Sequence, residues 1–509
     1  MAPIAYYEIR FPISQGAFMV TSILRRRVIM LRTFTVAALV SLAGLAYAQT
    51  EPFDLGQDNR EIAQSLRQAA LGSDLAYEIT RSLTTEVGPR LAGTPQEARA
   101  RDWAVEMLEE LAFENVRVEP FELDLWTRGH SIYEEVAITA PYPQELYAIS
   151  LGGAGATPEG GLEAEVVFFD SYDALLASDA DEDALSGKLV FVNDRMVASR
   201  TGEGYGWANR KRRDAWVLAE DRGAVGVLIR SVGTSTNRFA HTGMMSFPDG
   251  RLPDIPALAV SAPDADQLER LHEMGETVSI NMRTYAGWRG EVMSGNVIAE
   301  ITGSEAPDEI IIIGAHLDSW DTATGALDDG AGVGIVTAAA RLIAESGHRP
   351  RRTIRVVLFG AEEVGLVGAR AYANARMEDG TVGDHIIGSE SDFGAREVWR
   401  LRSNVGEHAL PEIDAIHREL QSLGLVRGDN TGGGGPDMIP LQFMGVPMVR
   451  LEQNGEDYFE FHHTPNDTFD KIVPEEMAQN VAAWAMMVWF LANSDTDFRP
   501  QTLQSDVSE

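Results

Sequence analysis

The chain has 509 residues, 44% of them hydrophobic and 23% charged, the balance of a soluble globular protein rather than a disordered or membrane-embedded one. Its 77 Asp and Glu against 42 Lys and Arg leave a formal charge of −35, which argues against nucleic acid and anionic membranes as partners. With no cysteine, a thiol nucleophile, cysteine-ligated zinc, disulfides and a lipidated-cysteine anchor are all excluded.

At the N-terminus, Arg25-Arg26-Arg27 and Arg32 precede an apolar run from Phe34 to Leu45 that ends in Ala46-Tyr47-Ala48. A basic start, a short apolar stretch and a small-x-small end describe a secretory signal peptide, so cleavage after Ala48 and a secreted or periplasmic protein are expected. The run is short for a transmembrane helix, so no stable membrane insertion is expected after cleavage. Met30 or Met19 is the expected start of that signal.

From Asn59 to Phe121 the pattern reads helix, loop, helix, strand. Ala63 to Leu83 carries helical spacing, Gly88 to Thr94 is a Gly/Pro loop, and Thr94 with Glu97 forms a capping box. Between Leu125 and Ala286 the texture changes to short strands and many glycines, with buried strands expected at 166–169, 188–192 and 226–229. His241, in Ala240-His241-Thr242-Gly243, stands alone there, and a lone histidine is more often structural or on a substrate rim than a ligand. From Ser294 onward strand, loop and helix alternate, which implies an α/β sandwich on a largely parallel sheet. The length supports more than one domain. The expected division is extension and signal peptide 1–48, catalytic domain 49–125 and 287–494, an inserted β-rich module 126–286, and an acidic tail 495–509.

The chemistry concentrates in five segments of about the last 200 residues: Gly314-Ala-His316-Leu-Asp318, Gly325-Ala-Leu-Asp328-Asp329-Gly330, Gly360-Ala-Glu362-Glu363-Val-Gly365, Glu390-Ser-Asp392, and Phe461-His462-His463-Thr464-Pro-Asn-Asp467. Together they supply enough imidazole and carboxylate to hold two divalent cations, and zinc accepts both donor types. Most of them follow an expected strand, where sites of open α/β sheets form. A two-metal site needs one shared carboxylate, terminal ligands on each ion, and a base nearby that is not coordinated. Adjacent glutamates after a strand point apart, so one can bind metal while the other handles water. Asp318, two residues from His316, suits a carboxylate that fixes the imidazole tautomer. His463 reaches the site only if its loop folds back over the sheet.

The run from Ile311 to Ala373, with Ser389 to Gly394 and Phe461 to Thr468, resembles the co-catalytic dinuclear zinc exopeptidases, which include zinc aminopeptidases and glutamate carboxypeptidases. Glu390-Ser-Asp392-Phe-Gly394 and His462-His463 resemble most the carboxypeptidase Q (plasma glutamate carboxypeptidase) branch, and the insert, with Ile255-Pro256-Ala257, is similar to a protease-associated domain. The resemblance implies a three-layer α/β/α sandwich carrying two zinc ions. Their implied ligands are His316, Asp328, Glu363, Asp392 and His463, with Asp328 shared; Glu362 is implied as general base and His462 as a group steadying the oxyanion. It also implies a cis peptide between Asp328 and Asp329. The implied reaction is hydrolysis of dipeptides or short peptides by water activated at two metals. Carboxypeptidase, dipeptidase and aminopeptidase action all stay open, as does a homodimer. A mononuclear glutaminyl cyclase and a non-catalytic receptor-like protein share the fold and are the competing readings. Gly432 to Gly435 lacks a following Lys-Ser/Thr, so it is no phosphate loop, and it reads either as a site loop or as a plain flexible one.

Overall fold

The computed structural model describes residues 53–129, 133–178, 181 and 183–500. The expected signal peptide, its cleavage site and the end of the acidic tail lie outside the described residues. The described parts of Phe53–Ser246 and Leu252–Glu509 form one compact unit, and Phe247–Arg251 separately carries a short 3-10 turn at Pro248–Gly250. No described helix is long and apolar enough to cross a membrane.

Two eight-stranded sheets organise the described residues. The first has the order Glu114–Thr127, Gly287–Ile301, Arg352–Phe359, Ala306–His316, His385–Glu390, Met448–Gln453, Val398–Asn404, Val426–Arg427. Its central strands are runs of buried Ile and Val, as expected where helices cover both faces. Helices Gln57–Leu71, Ala331–Glu345 and Pro474–Ala492 pack on one another, while Pro95–Glu110 and Val367–Glu378 lie on Glu114–Thr127 and Gly287–Ile301. The result is a three-layer α/β/α sandwich. Small residues make the close packing possible: in Ala331–Glu345 nearly every position from Ala331 to Ala340 is buried. The Thr94 side chain accepts the Glu97 N–H at 3.4 Å and starts its helix, but the other half of the expected capping box is absent, because the Glu97 carboxylate pairs with Arg101 and Ser294 and the Thr94 N–H donates to the Leu91 carbonyl.

Parallel pairing fixes which residues share an edge. Ala306–His316 pairs with Arg352–Phe359 so that His316 stands beside Phe359, and with His385–Glu390 so that Gly314 stands beside Glu390. The loops after these three strands therefore open at one carboxyl edge.

The second sheet draws all its strands from residues between Glu135 and Arg283. Leu162–Phe169, Leu189–Val192, Gly226–Arg230 and Ala257–Val260 run parallel, and helices Tyr172–Ala177 and Arg210–Glu220 lie in the first two of the crossovers that parallel strands require. Its two ends meet on the first sheet, where Glu114–Thr127 and Gly287–Ile301 pair antiparallel from Glu114↔Glu300 to Thr127↔Gly287.

Candidate metal centre

At the shared edge the structure gathers the five side chains expected to hold metal. His316 ends its strand, and Asp328 lies in the turn Ala326–Gly330 that feeds helix Ala331–Glu345. Glu363 follows Phe359 and Asp392 follows Glu390, each within four residues of its strand end. His463 follows the short helix Tyr458–Phe461 and does fold back over the edge. A cis peptide joins Asp328 and Asp329.

Asp328 sits between the two histidines. Its Oδ1 is 3.2 Å from His316 Nε2, and its Oδ2 is 3.3 Å from His463 Nε2. On the first side Asp392 Oδ1 lies 3.8 Å from His316 Nε2; on the second, Glu363 Oε2 lies 2.9 Å from His463 Nε2. Donor atoms of His316, Asp328 and Glu363 fall within 4.8 Å of one another, as do those of Asp328, His462 and His463, and of His316, Asp329 and Asp392. His462 stacks on His463 at 3.5 Å between ring centres, with its Nε2 3.7 Å from Asp328 Oδ2. His463 alone of the pair also reaches Glu363.

The donor set fits a cation. Asp328 Oδ2 and Glu363 Oε1 are buried with no hydrogen-bond partner, a costly arrangement for carboxylate oxygens unless positive charge meets them. Burial pushes the Asp392 carboxyl up to about 6, against the pull of His316, and lifts Glu362 and Glu363 above the usual carboxylate range. Burial opposes charge on His463, yet Glu363 and Asp328 beside it raise the imidazole to about 9. Imidazole nitrogen with carboxylate oxygen is a zinc donor set.

The supporting contacts differ in one respect from the sequence expectation. His316 Nδ1 is 3.0 Å from the main-chain carbonyl of Asp318, while the Asp318 carboxylate stands 3.7 Å away. The carbonyl thus fixes the imidazole. The carboxylate is occupied elsewhere: it accepts the N–H groups of Glu362 at 3.0 Å and Glu363 at 3.3 Å. Those glutamates follow Ala361, whose φ of 58° is left-handed, and this kink sets the pair on the edge.

Two positioning residues carried no sequence signal of their role. Asp467 accepts the N–H groups of Ala326 at 3.0 Å, Leu327 at 2.7 Å and Asp328 at 3.2 Å, so it holds the turn that presents Asp328. The buried Arg90, in the Gly88–Thr94 loop, donates to the carbonyls of Leu317, Thr324 and Gly325 and ties both aspartate-bearing loops together. The Gly/Pro texture marked that loop; nothing local marked its partner.

Above the cluster lies a cleft of about 610 Å³, walled by Glu362, His462, Phe393 and Arg450 from one side and by Tyr205 and Arg212 of the inserted module from the other. Arg450, unplaced by sequence, stands over the Phe393 ring at 5.9 Å. Glu390 and Asp437 are buried behind the Gly432–Gly435 loop: the Asp437 N–H donates to Glu390 Oε2 at 2.8 Å, and the Glu390 N–H to the Gly434 carbonyl at 2.7 Å. Gly435, at φ 125°, leaves no room for a side chain, since a Cβ would stand 2.3 Å from Glu390 Oε2. The glycine run is therefore a packed wall of the cleft.

Buried histidines and carboxylates at the carboxyl edge of a mixed sheet define a zinc-hydrolase type of centre. Residues 296–488 match the family model "Peptidase family M28". Mouse carboxypeptidase Q is 32% identical over 422 residues, covering 82% of this chain and 86% of that protein. A solved peptidase M28 precursor from Shewanella amazonensis is 45% identical with a TM-score of 0.84, covering 87% of this chain and 99% of that one. A zinc aminopeptidase from Bacillus subtilis shares the fold at 20% identity and a TM-score of 0.59, covering 84% and 97%. The chain belongs to peptidase family M28. It is a zinc metallopeptidase, a hydrolase acting on peptides.

Proposed function

We propose that the chain is a secreted or periplasmic exopeptidase that holds two zinc ions and cleaves dipeptides or short peptides in the manner of carboxypeptidase Q. The observation that carries the two-ion reading is Asp328, which turns one oxygen to His316 and the other to His463. His316 and Asp392 with Asp328 would hold one zinc; Glu363 and His463 with Asp328 would hold the other. When bound, zinc acidifies water and polarises a carbonyl oxygen.

Glu362 is the general base. It lines the cleft, its main chain is pinned by Asp318, and burial raises its carboxyl, which suits a group that must take and return a proton. It removes the proton of the attacking water at a carboxylate oxygen and delivers it to the nitrogen of the leaving amine. His462, a neutral ring whose charge burial disfavours, faces the cleft and donates to the carbonyl oxygen as negative charge builds there.

Arg450 and Arg212 on the cleft walls favour a substrate end bearing a carboxylate, which supports carboxypeptidase or dipeptidase action over aminopeptidase action. The sheet between Glu135 and Arg283 is the protease-associated domain in this reading, and it closes one side of the substrate cleft. The signal-like segment ending at Ala48 supports export. A panel of free dipeptides, N-blocked dipeptides and aminoacyl-nitroanilides tests the reading. Cleavage of the dipeptides, with or without the block, is expected. Cleavage of the nitroanilides alone would make the enzyme an aminopeptidase instead.

A further inference from the structure

The motif Ala240-His241-Thr242-Gly243 lies between strands Gly226–Arg230 and Ala257–Val260 of the inserted module, yet it runs directly along His462 and His463. The Thr242 N–H donates to the His463 carbonyl at 3.1 Å, and the Thr242 carbonyl lies 3.2 Å from His463 Nδ1. His241 Nδ1 is 2.9 Å from the His462 carbonyl. Gly243 completes the contact, for a Cβ there would stand 2.8 Å from His463 Nδ1 and 2.2 Å from an Arg212 nitrogen.

A carbonyl oxygen only accepts. His463 Nδ1 must therefore carry the proton, donate it to Thr242, and leave Nε2 with its lone pair toward Asp328 and Glu363. Arg212 Nη1, 3.4 Å from the same Nδ1, donates to the same carbonyl at 3.2 Å and is a neighbour of the ring rather than its partner. Had Nδ1 accepted from Arg212, Nε2 would bear a proton and could hold no metal. His463 also has a φ of 62°, left-handed for a residue with a side chain, and such a conformation persists only where neighbours enforce it.

The motif is itself anchored inside the module. The His241 N–H donates to Ser231 Oγ at 2.9 Å, and Thr242 Oγ1 donates to the Ser150 carbonyl at 3.1 Å. Arg128, its guanidinium against the rings of both Trp126 and Trp320 at 5.2 and 5.0 Å, donates to Thr242 Oγ1 as well. Trp320 in turn lies 5.8 Å from the His463 ring.

We propose that Ala240–Gly243 is a positioning clamp by which the inserted module sets the tautomer of His463 and hence its affinity for metal. The proposal rests on the reading of His463 as a zinc ligand. It gives the module a role in building the catalytic centre, beyond lining the cleft.

Zinc affinity, measured by chelator competition on the full chain with metal content and thermal midpoint alongside, tests this. The variants are Gly243→Ala, which crowds His463; His241→Leu, which removes the tie to His462; and His241→Asn, whose amide can replace Nδ1 as donor. Glu163→Gln, on an exposed position of the module, is the control. Gly243→Ala and His241→Leu should bind zinc about 10- to 100-fold more weakly, with His241→Asn close to wild type. Unchanged affinity in both, or His241→Asn as weak as His241→Leu, would overturn the clamp. Should Gly243→Ala fail to fold, the His241 pair decides. Wild-type stoichiometry judges the two-ion reading separately, because the clamp is read from the ratio of variant to wild-type affinity whatever that number is.

Discussion

Asp318 and Glu362 are joined through the main chain: one oxygen of the Asp318 carboxylate accepts the Glu362 N–H at 3.0 Å, and the other takes the Glu363 N–H at 3.3 Å. One buried carboxylate thus registers both glutamates against the His316 strand. Asp318→Asn turns a donor toward one of those N–H groups and leaves it unpaired. About a 10- to 100-fold fall in kcat is expected, with zinc retained at saturating metal, because an unmade buried hydrogen bond costs about 1–3 kcal/mol. Steady-state kinetics with parallel metal analysis checks it; wild-type kcat would show that this contact does not position the base.

Arg90→Leu strands the carbonyls of Leu317, Thr324 and Gly325 in a buried site. Loss of about 3 kcal/mol or more is expected, since each unpaired buried acceptor is costly. Denaturant unfolding should show a lower midpoint at an unchanged slope. A loss within about 0.5 kcal/mol, the range of ordinary surface changes, would contradict the role given to this arginine.

Removing zinc should lower stability, because the crowded carboxylates around Asp328 lose the charge that offsets them. A ligand present at about 1,000 times its dissociation constant stabilises by about 4 kcal/mol. The thermal midpoint should therefore drop on chelation and recover on adding zinc back. A midpoint indifferent to chelation would contradict a structural contribution from the metal.

His385, at the opposite end of its strand from Glu390, gives a pH dependence of known sign. It is fully buried, with Tyr372 Oη 2.8 Å from Nε2 and the Thr381 carbonyl 3.2 Å from Nδ1, and burial pushes it down to about 4. Between about pH 4 and 6.5 the unfolded chain binds a proton here that the folded chain refuses, so stability falls as the pH drops through that window. The slope from this one group is at most about 1.4 kcal/mol per pH unit. His385→Gln should flatten that part of the stability profile; an identical slope in the variant would contradict it.

Much of the centre is legible in the sequence because its parts are local. His316 ends an apolar strand, Glu363 and Asp392 each follow one by a few residues, and Asp328 precedes a helix, so parallel pairing of those strands brings them to one edge. His463 is different: its place depends on a left-handed turn and on the Ala240–Gly243 segment about 220 residues earlier, and no local pattern encodes such a contact. The Asp318 role shifted for a related reason, since the spacing of two residues fits its carbonyl and its carboxylate equally well. Strands Val398–Asn404 and Met448–Gln453 carry no clean apolar alternation because Arg400 and Arg402 pair with Glu452 across them. Their charges are satisfied by each other within the sheet, a pairing visible only once the strands are adjacent.

The role of Glu362 as general base is tested most directly by Glu362→Gln, read by zinc content and turnover on the best dipeptide. The substitution keeps size and shape but removes the proton acceptor from the cleft. Zinc content should stay at the wild-type value while turnover falls about 10²- to 10⁴-fold, the usual contribution of a general base. Near wild-type turnover with zinc retained would contradict it.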